Sequence, residues 1–155
     1  MKGNNTIIAQ LNALLAYELA AMDQYFVHSQ MYADWGFHKL HERIAHEFED
    51  EKGHATKLIE RILFLEGTPD MVTRDGLLIG HDVPSMLESD LRVEYAVAAK
   101  LKQTMALCEL EQDYVSRDML LVLLDDTEMD HARWLEQQIR MIKFVGLPNY
   151  LQSQS

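Results

Sequence analysis

Two copies of a Glu-x-x-His motif give this chain side chains that can bind metal ions. They occupy residues 51–54 (Glu-Lys-Gly-His) and 128–131 (Glu-Met-Asp-His). Because residues three apart lie on one face of a helix, each motif places a carboxylate beside an imidazole. A single glutamate precedes each motif, Glu18 before the first and Glu94 before the second. Carboxylate oxygens and neutral imidazoles suit iron(II), manganese(II) and zinc.

Together these residues match the ligand set of bundles that hold two iron or manganese ions between four helices. The six candidate ligands are Glu18, Glu51, His54, Glu94, Glu128 and His131. Each lone glutamate precedes its motif by 33 or 34 residues, which suggests a duplicated helix pair. On that symmetry, Glu18 and His54 would bind one ion, and Glu94 and His131 would bind the other. The glutamates of the two motifs would bridge the pair.

Iron at such a site would make the chain an oxidoreductase. Two iron(II) ions held with open coordination positions can together pass two electrons to dioxygen or peroxide. Tyr25 lies two helical turns after Glu18 and could hydrogen-bond a ligand carboxylate or donate an electron. An ordinary half-buried core tyrosine is the alternative. For the glutamates, the alternative is salt bridges to some of the 14 lysines and arginines.

Four long helices are expected to position these residues. The pattern predicts them over about 6–34, 38–66, 84–111 and 113–145. Apolar residues recur every three or four positions in each, and one candidate glutamate interrupts each apolar stripe. A buried carboxylate is unfavourable unless it is paired or binds a metal, and four converging carboxylates repel each other. Two divalent cations would relieve both penalties.

The connections between the helices predict an all-α four-helix bundle with a crossover. Residues 67–83 form a link longer than most loops, as expected if it runs the length of the bundle between the second and third helices. A short extended piece is possible at 77–79. Residues 149–154 could form a short fifth helix or a tail.

The composition is that of one soluble globular domain spanning residues 1–155. Hydrophobic residues make up 48% and charged residues 25%, and no apolar run approaches the roughly 20 residues that span a membrane. The net charge of −11 argues against a general nucleic-acid surface. Cys108 is the only cysteine, and residues 1–5 lack a secretion signal, so we expect a cytoplasmic protein.

The chain resembles the bacterioferritins along nearly its whole length. Besides the six candidate ligands, the matching segments are 1–3, 24–26, 34–36, 57–67, 113–118 and 149–153. The resemblance implies a ferritin-like four-helix bundle with a short fifth helix near a four-fold axis. It also implies a hollow shell of 24 subunits, two irons per subunit at a ferroxidase centre, and storage of an iron(III) mineral. A ferredoxin is a possible reductant.

Lys52 departs from the bacterioferritin pattern. In that family a methionine at this position from each of two subunits binds haem, and here the motif carries lysine. Because an amine ligates haem iron only when deprotonated, we do not expect haem in a homo-oligomer. Two interpretations stay open. The chain forms a haem-free ferritin, or it co-assembles with a second subunit whose methionine supplies the haem site.

His46 and Asp50 are, by the same resemblance, candidates for relaying iron or electrons along an inner surface. The alternative for these residues is a solvated helix face. Among functions, an intact ligand set favours an oxidoreductase over a passive metal buffer or a structural shell subunit. Other di-iron enzymes would need a substrate channel that 155 residues barely allow. One cysteine cannot build the iron–thiolate site of rubrerythrin-like proteins.

Overall fold

The structure is a computed structural model that describes residues 1–155, and its regular elements are all helices. Their bounds are α1 Asn5–Asp34, α2 His38–Phe64, α3 Val83–Leu110, α4 Tyr114–Asp125, a π-helical segment Asp126–Ala132, α5 Arg133–Val145 and α6 Leu147–Ser153. The α4 helix, the π segment and α5 follow one another without a break and make the fourth long helix of the bundle. The predicted all-α bundle with a short C-terminal helix is confirmed.

Local capping explains where the helices begin. The Asn4 side chain accepts hydrogen bonds from the first backbone N–H groups of α1, and Asp113 caps α4 in the same way. Asp82 and Ser85 form a reciprocal capping box at the start of α3. Gly146 separates α5 from α6 with a φ of 81°, a conformation that glycine adopts without steric strain.

A polar layer divides the core of the bundle into two apolar clusters. One cluster packs around Leu15, Leu58 and Leu101, and the other packs around Tyr25, Leu40 and Leu87. On α1, α2 and α3 the candidate glutamate lies between residues of the two clusters, so the three carboxylates share one level of the bundle. The apolar packing on both sides holds that level in place.

The crossover between α2 and α3 contains no strand, so the extended piece anticipated at 77–79 does not pair as one. Its backbone instead hydrogen-bonds to side chains of α1. Leu78 N–H donates to Gln24 Oε1 at 2.9 Å, and Gly80 N–H donates to His28 Nε2 at 3.1 Å. These bonds fix a segment that must pass along the length of the bundle.

A buried carboxylate on α3 completes this attachment. Asp90 Oδ1 accepts from Gln24 Nε2 at 2.8 Å and lies 2.9 Å from His28 Nδ1. Because His28 Nε2 accepts the crossover hydrogen bond, the ring proton is on Nδ1 and is donated to Asp90. The network ties α1, α3 and the crossover together one turn from Glu94.

None of the helices has both the length and the hydrophobicity that crossing a membrane requires.

Candidate metal centre

Five of the six predicted ligands lie together in the polar layer. They are Glu18 from α1, Glu51 and His54 from α2, Glu94 from α3 and His131 from the π segment. None is more than 6% exposed. Each comes from the apolar face of its helix, so the packing that forms the bundle also brings these side chains together.

Both imidazoles point their Nδ1 atoms into the cluster. His54 Nδ1 lies 2.9 Å from Glu18 Oε2 and 3.4 Å from Glu51 Oε2. His131 Nδ1 lies 3.1 Å from Glu51 Oε1 and 3.2 Å from Glu94 Oε1. Glu51 therefore stands between the two histidines, with one carboxylate oxygen directed to each.

Several carboxylate oxygens of this cluster have no hydrogen-bond partner although they are buried. They are Glu18 Oε1, both oxygens of Glu51 and Glu94 Oε2. The Glu51 oxygens approach the imidazole nitrogens closely, but at angles that do not form a hydrogen bond. Buried polar atoms are almost always satisfied, and exceptions call for a specific explanation such as a bound ion. The oxygens face one another and the two Nδ1 atoms, so the residues present fit a pair of divalent cations.

The shifted pKa values of the cluster also fit a site for cations. Burial and the charge of Glu51 raise the pKa of Glu18 well above its ordinary value. Burial opposes the protonated form of His54, yet its contacts with Asp126, Glu18 and Glu51 prevail and raise its pKa to about 12. Burial also opposes the protonated form of His131, but its contacts with Glu47, Glu51 and Glu94 prevail and raise its pKa. Cations and protons therefore compete for the same atoms.

A second set of acidic residues contacts the outer nitrogens of the histidines. His54 Nε2 lies 2.6 Å from Asp126 Oδ2, and His131 Nε2 lies 3.1 Å from Asp50 Oδ2 and also contacts Glu47. Asp50 and Asp126 border a surface cavity of about 360 Å³ that reaches His54. The acidic groups thus extend from the buried cluster to the surface.

The two residues assigned to an inner surface lie at the edge of this second set. His46 Nε2 is 3.4 Å from Asp50 Oδ2, and the His46 side chain is largely exposed. Asp50 in turn contacts His131, so the pair forms a continuous series of side chains from the surface to the cluster. This geometry is compatible with a relay of iron.

Glu128 is the predicted ligand that the structure does not bring to the cluster. Its side chain is 43% exposed and its Oε1 pairs with Lys102 Nζ at 2.9 Å. The sequence predicted Glu128 on the core-facing stripe of the fourth helix, and this placement is wrong in the structure. Glu-x-x-His spacing places both side chains on one face only in an α-helix, and residues 126–132 are π-helical.

The π segment also explains why Asp126 is present instead. A π-helix bonds residues five apart, so it stacks Asp126 over His131, and Asp126 Oδ2 lies 3.6 Å from His131 Nε2. The hydroxyl of Thr127 donates to the Leu123 carbonyl oxygen at 2.8 Å and satisfies it where the helix widens. Five-residue spacing is the only sequence signal for Asp126, and it has meaning only if the π segment is known.

Glu47 was also missed as a contact of the cluster. It is buried, contacts His131 and receives a hydrogen bond from Arg43 Nε at 2.7 Å. Its place four residues before Glu51 puts both on one helix face, which is a usable signal. The neighbouring acids make that stretch of α2 look like a solvated face, and this conceals the signal.

Tyr25 is fully buried and its hydroxyl donates to Glu94 Oε1. Burial raises its pKa well above the ordinary value, and the charges of Glu94 and Asp90 add to that effect. The hydroxyl therefore stays protonated and holds one carboxylate of the cluster. Lys52, by contrast, lies on an exposed part of α2.

Comparison with known proteins gives one consistent family of relatives. A family model described as a ferritin-like domain matches residues 8–145. A bacterial ferritin of Synechocystis sp. is 60% identical over 154 residues, which cover 99% of both chains. The bacterial ferritin of Pseudomonas aeruginosa is 56% identical over the same shares. A bacterioferritin of Brucella melitensis is 39% identical over 97% of this chain and 92% of its own length.

Proposed function

Because this chain belongs to the ferritin family, we propose that it oxidises iron(II) at the buried carboxylate–histidine cluster and stores the product as an iron(III) mineral. The observation that carries the proposal is the set of buried carboxylate oxygens without partners, arranged around two inward-pointing Nδ1 atoms. A purely structural subunit has no need of such a costly arrangement.

The proposed ligands follow from the geometry of the cluster. Glu18 and His54 bind one iron(II), Glu94 and His131 bind the other, and Glu51 is shared between them. Glu128 is a sixth ligand only if it leaves Lys102. Asp126 and Glu47 hold the outer nitrogens of the two histidines and so fix the orientation in which Nδ1 faces the metal.

Iron(II) is the substrate of the proposed reaction, and each ion loses one electron. Two iron(II) ions, one dioxygen and two protons give two iron(III) ions and one hydrogen peroxide. With peroxide as the oxidant, two iron(II) ions, one peroxide and two protons give two iron(III) ions and two waters. Tyr25 holds Glu94 through its hydroxyl and is the candidate to replace one iron(II) as an electron donor to peroxide. One iron(II), the Tyr25 phenol, one peroxide and one proton would then give one iron(III), a tyrosyl radical and two waters.

The residues around the two histidines can also carry the protons that the reaction consumes. The raised pKa values of His54 and His131 mean that cations displace protons from both rings when they bind. Asp50 and Asp126 lie between these rings and the surface cavity. We assign them the passage of protons and cations between the cluster and the surface, with His46 at its outer end.

Storage requires an assembly, and members of the ferritin family typically form shells. We propose a cytoplasmic shell of 24 copies of this chain, with α6 at the four-fold axis and a ferredoxin as the reductant that releases the iron. With Lys52 at the haem-ligand position, a shell of this chain alone is expected to lack haem. A mixed shell is the second candidate, with haem supplied by the methionine of another subunit.

Stopped-flow oxidation of iron(II) by dioxygen tests the proposed activity. Glu18→Ala and His131→Ala are expected to slow the rapid phase by at least about 100-fold while light scattering shows an unchanged assembly. Glu60→Ala is the matched control, because Glu60 is an exposed glutamate on α2. Unchanged rates in both cluster variants would remove the assignment.

A further inference from the structure

Arg43 on α2 joins three parts of the bundle beside His131. Its Nε donates to Glu47 Oε1 at 2.7 Å within α2, and its Nη2 donates to Asp130 Oδ1 at 2.9 Å on the π segment. The guanidinium also lies 4.9 Å from the centre of the Trp134 ring, on α5. Arg43 therefore contacts residues on both sides of His131 in the chain.

Four carboxylates lie on the outer side of the His131 ring, within 4.0 Å of Nε2. They belong to Glu47, Asp50, Asp126 and Asp130. Nε2 carries at most one proton, so the acid that accepts it decides how the ring is turned. Arg43 contacts two of the four acids. It holds Glu47 against the ring, and it holds the nearer Asp130 oxygen 4.0 Å from Nε2.

Metal binding makes the contact between Glu47 and His131 depend on Arg43. A cation at Nδ1 requires a neutral ring, so His131 then supplies no positive charge to Glu47. Glu47 is 2% exposed, and a buried carboxylate without a cationic partner is unfavourable. Arg43 is the only lysine or arginine that pairs with Glu47. It therefore keeps Glu47 in place to accept the Nε2 proton of the metal-bound ring.

The other half of the metal centre has no such support. His54 Nε2 contacts Asp126, whose side chain is 34% exposed and pairs only with histidines. Both residues also border the surface cavity of about 360 Å³. The two histidines therefore differ in their outer partners. His131 has a carboxylate held by a fixed cation, and His54 has a carboxylate open to solvent.

We propose that Arg43 is a positioning residue of the metal centre, which acts through Glu47 to fix the His131 ring and so strengthens binding of the cation in that half. Asp130 and Trp134 anchor the guanidinium for this role. The inference rests on the proposed function, because it takes the cluster to bind two cations. Loss of a partner that orients a histidine ligand typically weakens metal binding by roughly 10- to 100-fold.

The sign of the effect separates positioning from charge. Arg43 is a cation close to the metal centre, so its removal would tighten cation binding if only its charge mattered. If Arg43 positions His131, its removal weakens binding instead. A general loss of structure would weaken both ions alike, whereas loss of this positioning affects the His131 half alone.

Titration of the chelator-stripped full-length protein with cobalt(II), followed by calorimetry and d–d absorbance, tests the inference. Arg43→Gln is expected to weaken one cobalt(II) by about tenfold and to leave the other within about twofold. The weakened ion should be the one that Glu94→Gln also weakens, because Glu94 contacts His131. Lys39→Gln is the matched control, since it removes the same charge from an exposed site one turn earlier in α2, and it should change neither affinity.

A double-variant cycle tests whether Arg43 acts through Glu47. Glu47→Gln should weaken the same cobalt(II), and Arg43→Gln in that background should weaken it by less than about twofold further. Arg43→Lys is the second variant, for use if Arg43→Gln does not assemble. Its ammonium cannot bridge Glu47 and Asp130 as the guanidinium fork does, so the same ion should be weakened by about two- to fivefold.

Four results would overturn the inference: tighter binding in Arg43→Gln, unchanged binding in either Arg43 variant, equal weakening of both ions, or additive losses in the double variant. Failure of the proposed function gives a different result, because the unmodified protein would then bind no pair of cobalt(II) ions. Two ions in the unmodified protein, with the same two affinities in Arg43→Gln, would refute only the role of Arg43.

Discussion

The imidazole rings of His54 and His131 face each other with centroids 5.8 Å apart and planes inclined by 19°. They belong to the two Glu-x-x-His motifs, which are 77 residues apart in the chain. Glu51 reaches the Nδ1 atoms of both rings, at 3.4 and 3.1 Å. The two motifs therefore meet around one shared carboxylate.

Replacing that shared carboxylate should affect both metal ions at once. In Glu51→Gln, one ionised ligand common to both positions is lost, so both cobalt(II) affinities should fall by at least about tenfold. Glu18→Gln should weaken mainly the ion that His54 binds. Calorimetric titration resolves the two cases, and loss of only one binding phase in Glu51→Gln would contradict the sharing of Glu51.

Removing the hydroxyl of Tyr25 should destabilise the fold without abolishing metal binding. In Tyr25→Phe, Glu94 loses a buried donor, and unfolding of the metal-free protein should become easier by about 1–3 kcal/mol. Thermal denaturation measures this, and cobalt(II) stoichiometry should remain two. Tyr17→Phe is the control, because the Tyr17 hydroxyl makes no hydrogen bond in the structure and α1 carries both tyrosines.

The electron-donating role of Tyr25 has its own readout. Rapid freezing of the unmodified protein during iron oxidation should trap a tyrosyl radical that electron paramagnetic resonance detects. Tyr25→Phe should abolish that signal. An identical signal in the variant would assign the radical to another residue and leave Tyr25 as a hydrogen-bond donor only.

Stabilisation by metal should grow as the pH rises. The folded-state pKa of His54 is raised to about 12, so its contribution to stability is complete below about 6.5 and declines as pH rises through about 12. Over the same range, fewer protons compete with cations for the ring. The difference in melting temperature between cobalt-loaded and chelator-treated protein should therefore increase from pH 6 to pH 8. A difference that shrinks would contradict this competition.

Position 52 should decide whether the assembled protein takes up haem. We expect no Soret absorbance in the homo-oligomer purified with haem present, and a new Soret band in Lys52→Met, because thioether sulfur can ligate haem iron. Lys57→Met adds a methionine to an exposed site of the same helix and should bind none. A stoichiometric Soret band in the unmodified protein that disappears in Lys52→Ala would contradict this assignment.

The four long helices were predictable because their apolar residues recur with helical periodicity. The same periodicity placed Glu18, Glu51 and Glu94 on core-facing stripes, where the structure has them. The matches to bacterial ferritins and a bacterioferritin confirm the family that the sequence motifs indicated. The crossover was also predicted, although its attachment to Gln24 and His28 depends on tertiary contacts that no local pattern reveals.

The differences between the predicted and the observed site have two physical origins. Residue spacing predicts which side chains share a helix face only when the number of residues per turn is known. The π segment changes that number over seven residues. The structure therefore has Glu128 at the surface and Asp126 beside the histidines, while Glu128 as a metal ligand stays a prediction. Glu47 was not predicted as a contact of the cluster, because a buried acid in an acidic stretch is indistinguishable from its solvated neighbours until the opposing helix is in place.

Anomalous diffraction at the iron edge from crystals soaked in iron(II) without oxygen tests the central claim most directly. Two iron peaks per chain are expected, both within bonding distance of Glu51. One should also be bound by Glu18 and His54, and the other by Glu94 and His131. No peak among these side chains, or the same carboxylates bound instead to lysine or arginine, would contradict the proposed metal centre.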